Sequence, residues 1–586
     1  MKPFLLLLLI AISLNNNLQA QVKKSFSDNS LALTQTPFEK SGGQQSATYL
    51  QAIEWYEMLA QKSTTAKLMC MGQTDAGQPL HLFLMSKDHD FNPQKWHEKG
   101  KVVLLINNGI HAGEPDGIDA CMMMARDLLT HNSIPDNVAI GIIPVYNIGG
   151  CLNRSSTSRA NQNGPEDYGF RGNSQLLDLN RDFTKCDSKE AKSFSQIFQL
   201  LNPDIFIDNH VSDGADYQHT MTLLTTQYDK LGKIQGEWLR DHFEPLIYAS
   251  MAKKGWDLVP YVDFEYTDTH KGMTMFYEPP RYGSGYAALF HSFSFVPETH
   301  MLKPFSQRVK STYDLMFSMI NESSINSQAI IAKRKEEMDY CAHQTWLPLK
   351  WAPDTTKKNQ MIFKGYEKDS AVSEATGLQK YYFNHQKPFV QSIPFYCYFK
   401  AIDSVKVPEN YIIQAGWSEV IERMKTNGVN MMPLKNDTTI KVTVTYIQSY
   451  KSYPTAYEKH HKNYEVKTRE VTDSIRFLAG DFLISSRQPT RRYLAEMLEP
   501  RGDDSFFAWN FFDAILQQKE GYSDYRWEDI AAKILKENPL LQKELEEKKQ
   551  NEPAFASDSH QILDFIYKHS AYYEKSHMRL PVYKVE

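Results

Sequence analysis

The sequence predicts an α/β domain on a mainly parallel mixed sheet flanked by helices, followed by a smaller β-rich accessory region and C-terminal helices. Three observations predict it. Val102 to Ile106 is a continuous apolar run with β-branched residues at its start, as a strand buried on both faces requires. Runs of the same kind recur at 138–145 and 203–210, and helical stretches separate them. The runs end in polar tips, and sites in open α/β sheets lie at such carboxyl ends of strands.

From the start, residues 1–20 read MKPFLLLLLIAISLNNNLQA: one Lys, an apolar core from Phe4 to Leu14, a polar end and a small residue, Ala20. That is a secretory signal peptide, so the protein is expected to be exported, periplasmic or extracellular. No second apolar segment follows it, so no integral membrane segment is expected after cleavage. Leu50 to Gln61 predicts a helix, and Leu68 to Ser86 a hairpin turning at Asp75-Ala-Gly77-Gln-Pro79. After the strand at 102 comes a helix over 116–130, a strand over 138–145, and a long polar stretch at 151–175. Polar loops of that length inside a compact domain are usually functional or disordered. A helix near 188–201, the strand at 203–210, an apolar strand at 293–296 and a long helix from Lys303 to about Tyr340 complete the domain, taken as 35–340.

Beyond Cys341 the texture changes. Thr439 to Tyr446 alternates cleanly, so it predicts a strand with one solvent face. Tyr411-Ile-Ile-Gln, 417–427 and 429–434 predict strand, helix, strand. We expect a β-rich accessory domain over 341–475 and a helical region over 476–586, with helices at 527–549 and 561–573. With 23% charged residues, a formal charge of −5 and no basic stripe, no nucleic-acid partner is expected. The six cysteines are scattered without C-x-x-C pairs, which gives neither a disulfide framework nor a metal signature. The sequence does not define an oligomeric state.

The candidate chemistry begins at KVVLLINNGIHAGEP, 101–115. A strand runs into the turn Asn107-Asn108-Gly109 and delivers His111 and Glu114, three residues apart, with Gly113 letting the backbone fold tightly between them. His210, at the tip of its own strand, adds a third donor. His111, Glu114 and His210 make a His₂Glu set, which suits zinc with a fourth position left open. His219 is the rival histidine, but it precedes the apolar run Met221 to Leu224 and is expected to hydrogen-bond within the sheet. Arg171 could stabilise charge developing on an attacked carbonyl, with Arg154 and Arg159 of the same loop as alternatives. Arg181 offers a planar fork for a carboxylate and Asn180 a neutral donor beside it. Asp178 could orient a ligand histidine. Glu298, at the end of an apolar strand, is placed to accept and pass on a proton.

These pieces together resemble the zinc carboxypeptidases of peptidase family M14. The matching stretches are His111-Ala-Gly-Glu114, Phe170-Arg171-Gly-Asn173, Asp178-Leu-Asn180-Arg181-Asp182, His210, and Ser294-Phe-Val-Pro-Glu298-Thr-His300, in the family's order. Pro297 departs from the residue usual before the glutamate. The resemblance implies a carboxypeptidase-like fold and one zinc per chain on His111, Glu114 and His210. It implies that Asn180 and Arg181 grip the substrate's terminal carboxylate, that an arginine, Arg171, stabilises the oxyanion, and that Glu298 is the general base. The family's lid tyrosine is not placed by spacing: Tyr277, Tyr282 and Tyr286 all lie in one Gly-rich loop, and Tyr282 is taken as the substrate-binding candidate. The implied function is an exported zinc metallocarboxypeptidase that uses zinc-activated water on peptides with a free C-terminal carboxylate.

Two other readings share the residues. One is a zinc amidase acting on cell-wall peptides or acyl-amino acids. The other is a non-catalytic peptide- or glycan-binding protein on the same fold. Retention of all three donors, Arg171 and Glu298 speaks against the second. No G-x-S-x-G is present, which speaks against a serine hydrolase.

Overall fold

The apolar run at 102 is a strand whose every residue is buried, and seven others join it in one sheet. The computed structural model describes residues 34–262 and 271–586; the expected signal peptide lies outside the described residues. The first strands are β1 (Ala66–Gln73), β2 (Pro79–Ser86), β3 (Val102–Asn108), β4 (Val138–Ile143) and β5 (Ile205–Ser212). They are followed by β6 (Met221–Thr225), β7 (Val259–Pro260), β8 (Met273–Thr274) and β9 (Phe293–His300). All but β8 form an eight-stranded sheet in the order β1-β2-β4-β3-β5-β9-β6-β7. The central strands β4, β3, β5 and β9 run parallel, and antiparallel pairings flank them. The result is the mixed α/β sheet that the sequence predicts.

Helices cover the sheet: α1 (Tyr49–Lys62), α2 (Asp116–Thr130), α3 (Lys189–Leu201), α4 (Gly283–Leu289), α5 (Phe305–Ile325) and α6 (Ser327–His343). Val102 to Ile106 are fully buried, each worth ~1.5–3 kcal/mol in apolar surface removed from water. The single helix expected from Lys303 to Tyr340 is two, α5 and α6. Asn326 separates them: its backbone leaves the helix at φ −101°, ψ 15°, and its Nδ2 donates to Glu322 O at 2.9 Å. Asparagine side chains compete for helix carbonyls in this way.

The chain divides into two compact units, Met1–Gln344 with Lys350–Asp403, and Thr345–Leu349 with Ser404–Glu586. The first unit therefore extends past the boundary expected at 340 and takes in a long hairpin, β10 (Asn359–Val372) and β11 (Gln379–Tyr396). Gln218 explains the attachment. Its N–H donates to Lys364 O at 3.0 Å, and its Nε2 donates to Gly365 O and Phe389 O at 2.8 and 3.0 Å.

The second unit holds a six-stranded antiparallel sheet in the order Met432–Pro433, Phe482–Ser485, Asn410–Ile413, Arg579–Val585, Thr438–Ser452, Asn463–Phe477. Its strands come from both sides of residue 475, where the sequence suggested a boundary. Ile412, Val442, Val444, Phe477 and Tyr583 form its core. The expected helix at 527–549 is interrupted at Pro539, which starts a new helix with Asn538 capping Leu541 N–H at 3.2 Å. Among the described residues no helix is long and apolar enough to cross a membrane.

Candidate active site

β3 ends in Asn108, and Gly109 makes the turn with φ +65°, a conformation open to glycine. The chain then brings His111 and Glu114 back over the sheet edge before α2 begins. Gly113 has no positive φ. Its lack of a side chain serves close packing instead, since a Cβ there would lie 2.9 Å from Gly169 O and 3.1 Å from Arg159 Cδ. β5 and β9 are parallel neighbours, with His210 directly paired to Glu298. Residues in register on adjacent strands point to the same face, so the third donor and the candidate base stand side by side.

His111, Glu114 and His210 are buried, and one potential ligand atom from each lies within 4.8 Å of the others. His111 Nδ1 is 3.1 Å from Glu114 Oε1, and His210 Nδ1 is 3.0 Å from Glu114 Oε2. The far ring nitrogens face carboxylates: His111 Nε2 is 2.9 Å from Asp178 Oδ1, and His210 Nε2 is 3.4 Å from Asp208 Oδ2. Both rings thus turn Nδ1 toward the same point; Asp178 fixes the far side of His111 by a hydrogen bond, and the Asp208 carboxylate stands behind His210. Two imidazoles and one carboxylate are a donor set that zinc accepts, so the residues fit the metal the family implies.

The electrostatics follow from the packing. Burial alone would raise the Glu114 carboxyl, but Arg159, His111 and His210 hold it well below the usual carboxylate range. Burial likewise opposes ionisation of Asp178, and His111, Arg171 and Arg181 overcome it and push that carboxyl down. Glu298 goes the other way. Desolvation lifts it to about 8, opposed by His210 and Arg159 and helped by Glu114 and Glu278. Burial pushes His210 down, but Asp208, Glu114 and Glu298 carry it well above the usual histidine value.

The three arginines of the 151–175 loop separate clearly. Arg154 donates to Asp167 and to the carbonyls of Ser46 and Ala47, and it reaches none of the metal donors. Arg171 donates to Asp178 Oδ2 through Nε and Nη2 at 3.0 and 2.8 Å, while its Nη1 lies 3.7 Å from Glu114 Oε1; its side chain is 47% exposed. Arg159 pairs directly with Glu114 Oε1 and donates to Val211 O at 3.0 Å, and its side chain is only 13% exposed. Charge from Glu114 and Glu298 both act on it. The sequence puts Arg171 first of the three, but an aperiodic loop carries no signal for the burial that sets Arg159 apart.

Asn180 and Arg181 lie on a short 3₁₀ turn started by Asp178, whose Oδ1 accepts Asn180 N–H at 2.9 Å. Asn180 Oδ1 accepts Gly283 N–H at 3.3 Å, which ties this turn to the Gly-rich segment at α4. The Arg181 guanidinium stands 4.2 Å from the centre of the Tyr282 ring. Tyr286 has no exposed surface and packs among Phe183, Phe198 and Phe290, so it belongs to the core. Tyr277 stacks on Phe399. His219 Nδ1 meets Asp257 O at 2.8 Å and its Nε2 accepts Lys364 N–H at 3.2 Å, so it is occupied within the fold. Glu278, which the sequence did not single out, is buried beside this cluster and accepts Ser284 Oγ at 2.6 Å. Five of the six cysteines are buried, and Cys70 is exposed.

Residues 52–225 match the model of peptidase family M14, zinc carboxypeptidase. The match includes His111, Glu114, Arg159, Arg171, Asn180, Arg181 and His210 and ends before Tyr282 and Glu298. No curated protein matches the chain. Among solved structures, a metallo-carboxypeptidase from Burkholderia cenocepacia is 13% identical, with 48% of this chain and 70% of that one covered and a TM-score of 0.34. Carboxypeptidase A from Helicoverpa armigera is 13% identical, with 49% and 75% covered and a TM-score of 0.37. A metallo-carboxypeptidase from Pseudomonas aeruginosa, in complex with (2-guanidinoethylmercapto)succinic acid, is 11% identical, with 49% and 70% covered and a TM-score of 0.36. Likenesses this distant add no weight to the strand order, the donor set and the family match.

Proposed function

We propose that this chain, whose residues 52–225 match the zinc carboxypeptidase family, is an exported metallocarboxypeptidase that removes C-terminal residues from peptides with a free carboxylate. The observation that carries the reading is the convergence of His111 Nδ1, His210 Nδ1 and Glu114 on one point, with Glu298 paired to His210 on the next strand. Export is supported by the leader-like pattern of residues 1–20.

Zinc bound by His111, Glu114 and His210 supplies a Lewis acid that polarises the scissile carbonyl and acidifies water. Glu298 takes the proton of the attacking water and returns it to the leaving amine. Its place in register with His210 on the next strand puts the carboxylate beside the metal donors, where both halves of that task occur. Arg159 is the better candidate for the negative charge that develops on the carbonyl oxygen, because it is largely buried against Glu114 and feels the charge of Glu298. Arg171 is fastened to Asp178, which orients His111, and its own Nη1 stands 3.3 Å from His111 Nδ1, so it acts on the metal donors. Arg181 and Asn180 hold the terminal carboxylate, with Tyr282 against the guanidinium.

The test is a peptide assay on purified protein with its metal content measured. One zinc per chain and chelator-sensitive release of free amino acids from free-acid peptides, with poor cleavage of the C-terminal amides, is the expected result. Equal cleavage of acids and amides would replace the exopeptidase reading with an amidase or endopeptidase. Bound zinc with no cleavage of either would leave a binding protein.

A further inference from the structure

Arg308, in α5, is a charged side chain with no exposed surface, and all three of its guanidinium nitrogens donate. Nε donates to Asp116 Oδ2 at 2.9 Å, and Nη2 donates to Asp116 Oδ1 at 3.3 Å and Gly164 O at 3.0 Å. Nη1 donates to the carbonyls of Asn163, Met301 and Lys303 at 2.8, 3.2 and 2.8 Å. A buried ion pair contributes little net stability for its desolvation, and fixing one arrangement against others is the best-attested use of such pairs.

The acceptors come from the three segments that the catalytic reading needs. Asp116 opens α2, two residues after Glu114. Asn163 and Gly164 belong to the loop that carries Arg159. Met301 and Lys303 follow β9, which carries Glu298. Thr299 closes the ring: its Oγ1 donates to Asp116 Oδ2 at 2.5 Å and lies 3.4 Å from His210 O. Successive strand residues face opposite sides, so Thr299 grips the sheet from behind while Glu298 faces the metal donors.

We propose that the Asp116–Arg308 pair and Thr299 form a positioning device. It sets the separation between Glu298 and the His111, Glu114, His210 group, and it holds the Arg159 loop against them. The three residues touch no substrate, and the proposal rests on Glu298 being the general base. A carboxylate shifted by about an ångström from its working place costs up to ~10²-fold in rate.

Thr299→Val keeps the shape of the side chain and removes only the hydroxyl. In zinc-loaded full-length protein it should lower kcat by ~10-fold or more with KM and zinc stoichiometry unchanged, and Thr299→Ser should restore turnover. Arg308→Lys, which keeps the charge but not the fork, should show the same split if it folds. Because the device acts through Glu298, Thr299→Val should add no further loss in a Glu298→Gln background. Normal kcat in Thr299→Val, or a loss of zinc in step with activity, overturns the positioning role and leaves the general base standing. Full turnover by Glu298→Gln overturns the general-base reading and this proposal together.

Discussion

Arg159 and Arg171 belong to one loop, yet their surroundings assign them different work. Arg159 is buried against Glu114, and Arg171 is half exposed and tied by two N–H groups to the carboxylate that orients His111. If Arg159 meets charge that appears only during attack, Arg159→Ala should lower kcat by ~10²–10³-fold for any peptide. Arg171→Ala should act mainly on the metal site, weakening zinc retention in a chelator competition with a smaller fall in kcat. The reverse ranking, with Arg171→Ala catalytically dead and fully metallated, would return the oxyanion role to Arg171. At this scale the sequence was legible wherever a functional residue lies near the carboxyl end of a buried strand, as His210 and Glu298 do, each two residues inside its strand's last. It was silent on Arg308, whose helix reads as ordinary, and on Asp208, whose only signal is that position 208 shares a strand face with 210.

The element that decides the site is the 151–175 loop, and backbone contact holds it. Ser155 and Tyr168 exchange backbone hydrogen bonds at 2.9 and 3.1 Å, Gly169 N–H donates to Ala112 O at 3.1 Å, and Phe170 N–H donates to Gly150 O at 2.9 Å. Gln162 Nε2 adds a bond to Gly113 O at 2.9 Å. The loop therefore lies directly on the His111–Glu114 segment, and it does so at Gly169. A Cβ there would come within 2.7 Å of both the Ala112 Cβ and Gly150 O. Neither neighbour can move far, so Gly169→Ala should cost ~1–3 kcal/mol and make the loop a faster target for limited proteolysis. Gly416→Ala, which meets nothing within 4 Å, should stay within ~0.5 kcal/mol of the parent. Equal melting temperatures and equal cleavage rates for the two variants would show that the loop is not pinned there. The order of β3, α2, β4 and β5 was readable from periodicity, because each buries a continuous apolar face. The docking of the loop was not, because it depends on carbonyls and on absent side chains, which leave no pattern.

For the whole molecule, the division into units was the least legible feature. Strand alternation at Thr439–Tyr446 marks a strand but does not name its partners, and Asn410–Ile413 and Arg579–Val585 meet in one sheet across the expected boundary at 475. Global stability against pH is more tractable, since buried carboxyls set it with opposite signs. Asp178, depressed in the folded state, contributes stability above its unfolded value that is lost as pH falls. Asp119, in α2, has no exposed surface, and it accepts Ala47 N–H at 3.0 Å. Burial, with Asp116 adding, lifts it from 3.8 to about 7. Its folded form prefers the proton, so its contribution is fully present below the unfolded value near pH 4 and is lost as pH rises toward 7. Asp119→Asn keeps the acceptor for Ala47 and cannot ionise. The variant should match the parent in thermal midpoint near pH 4 and exceed it increasingly as pH rises, the gap widening by up to ~1.4 kcal/mol per pH unit until Asp119 ionises in the folded parent near 7. A difference that stays constant from pH 4 to 8, or one that grows toward acid, would mean that Asp119 is ionised in the folded protein and that α2 carries its charge without penalty.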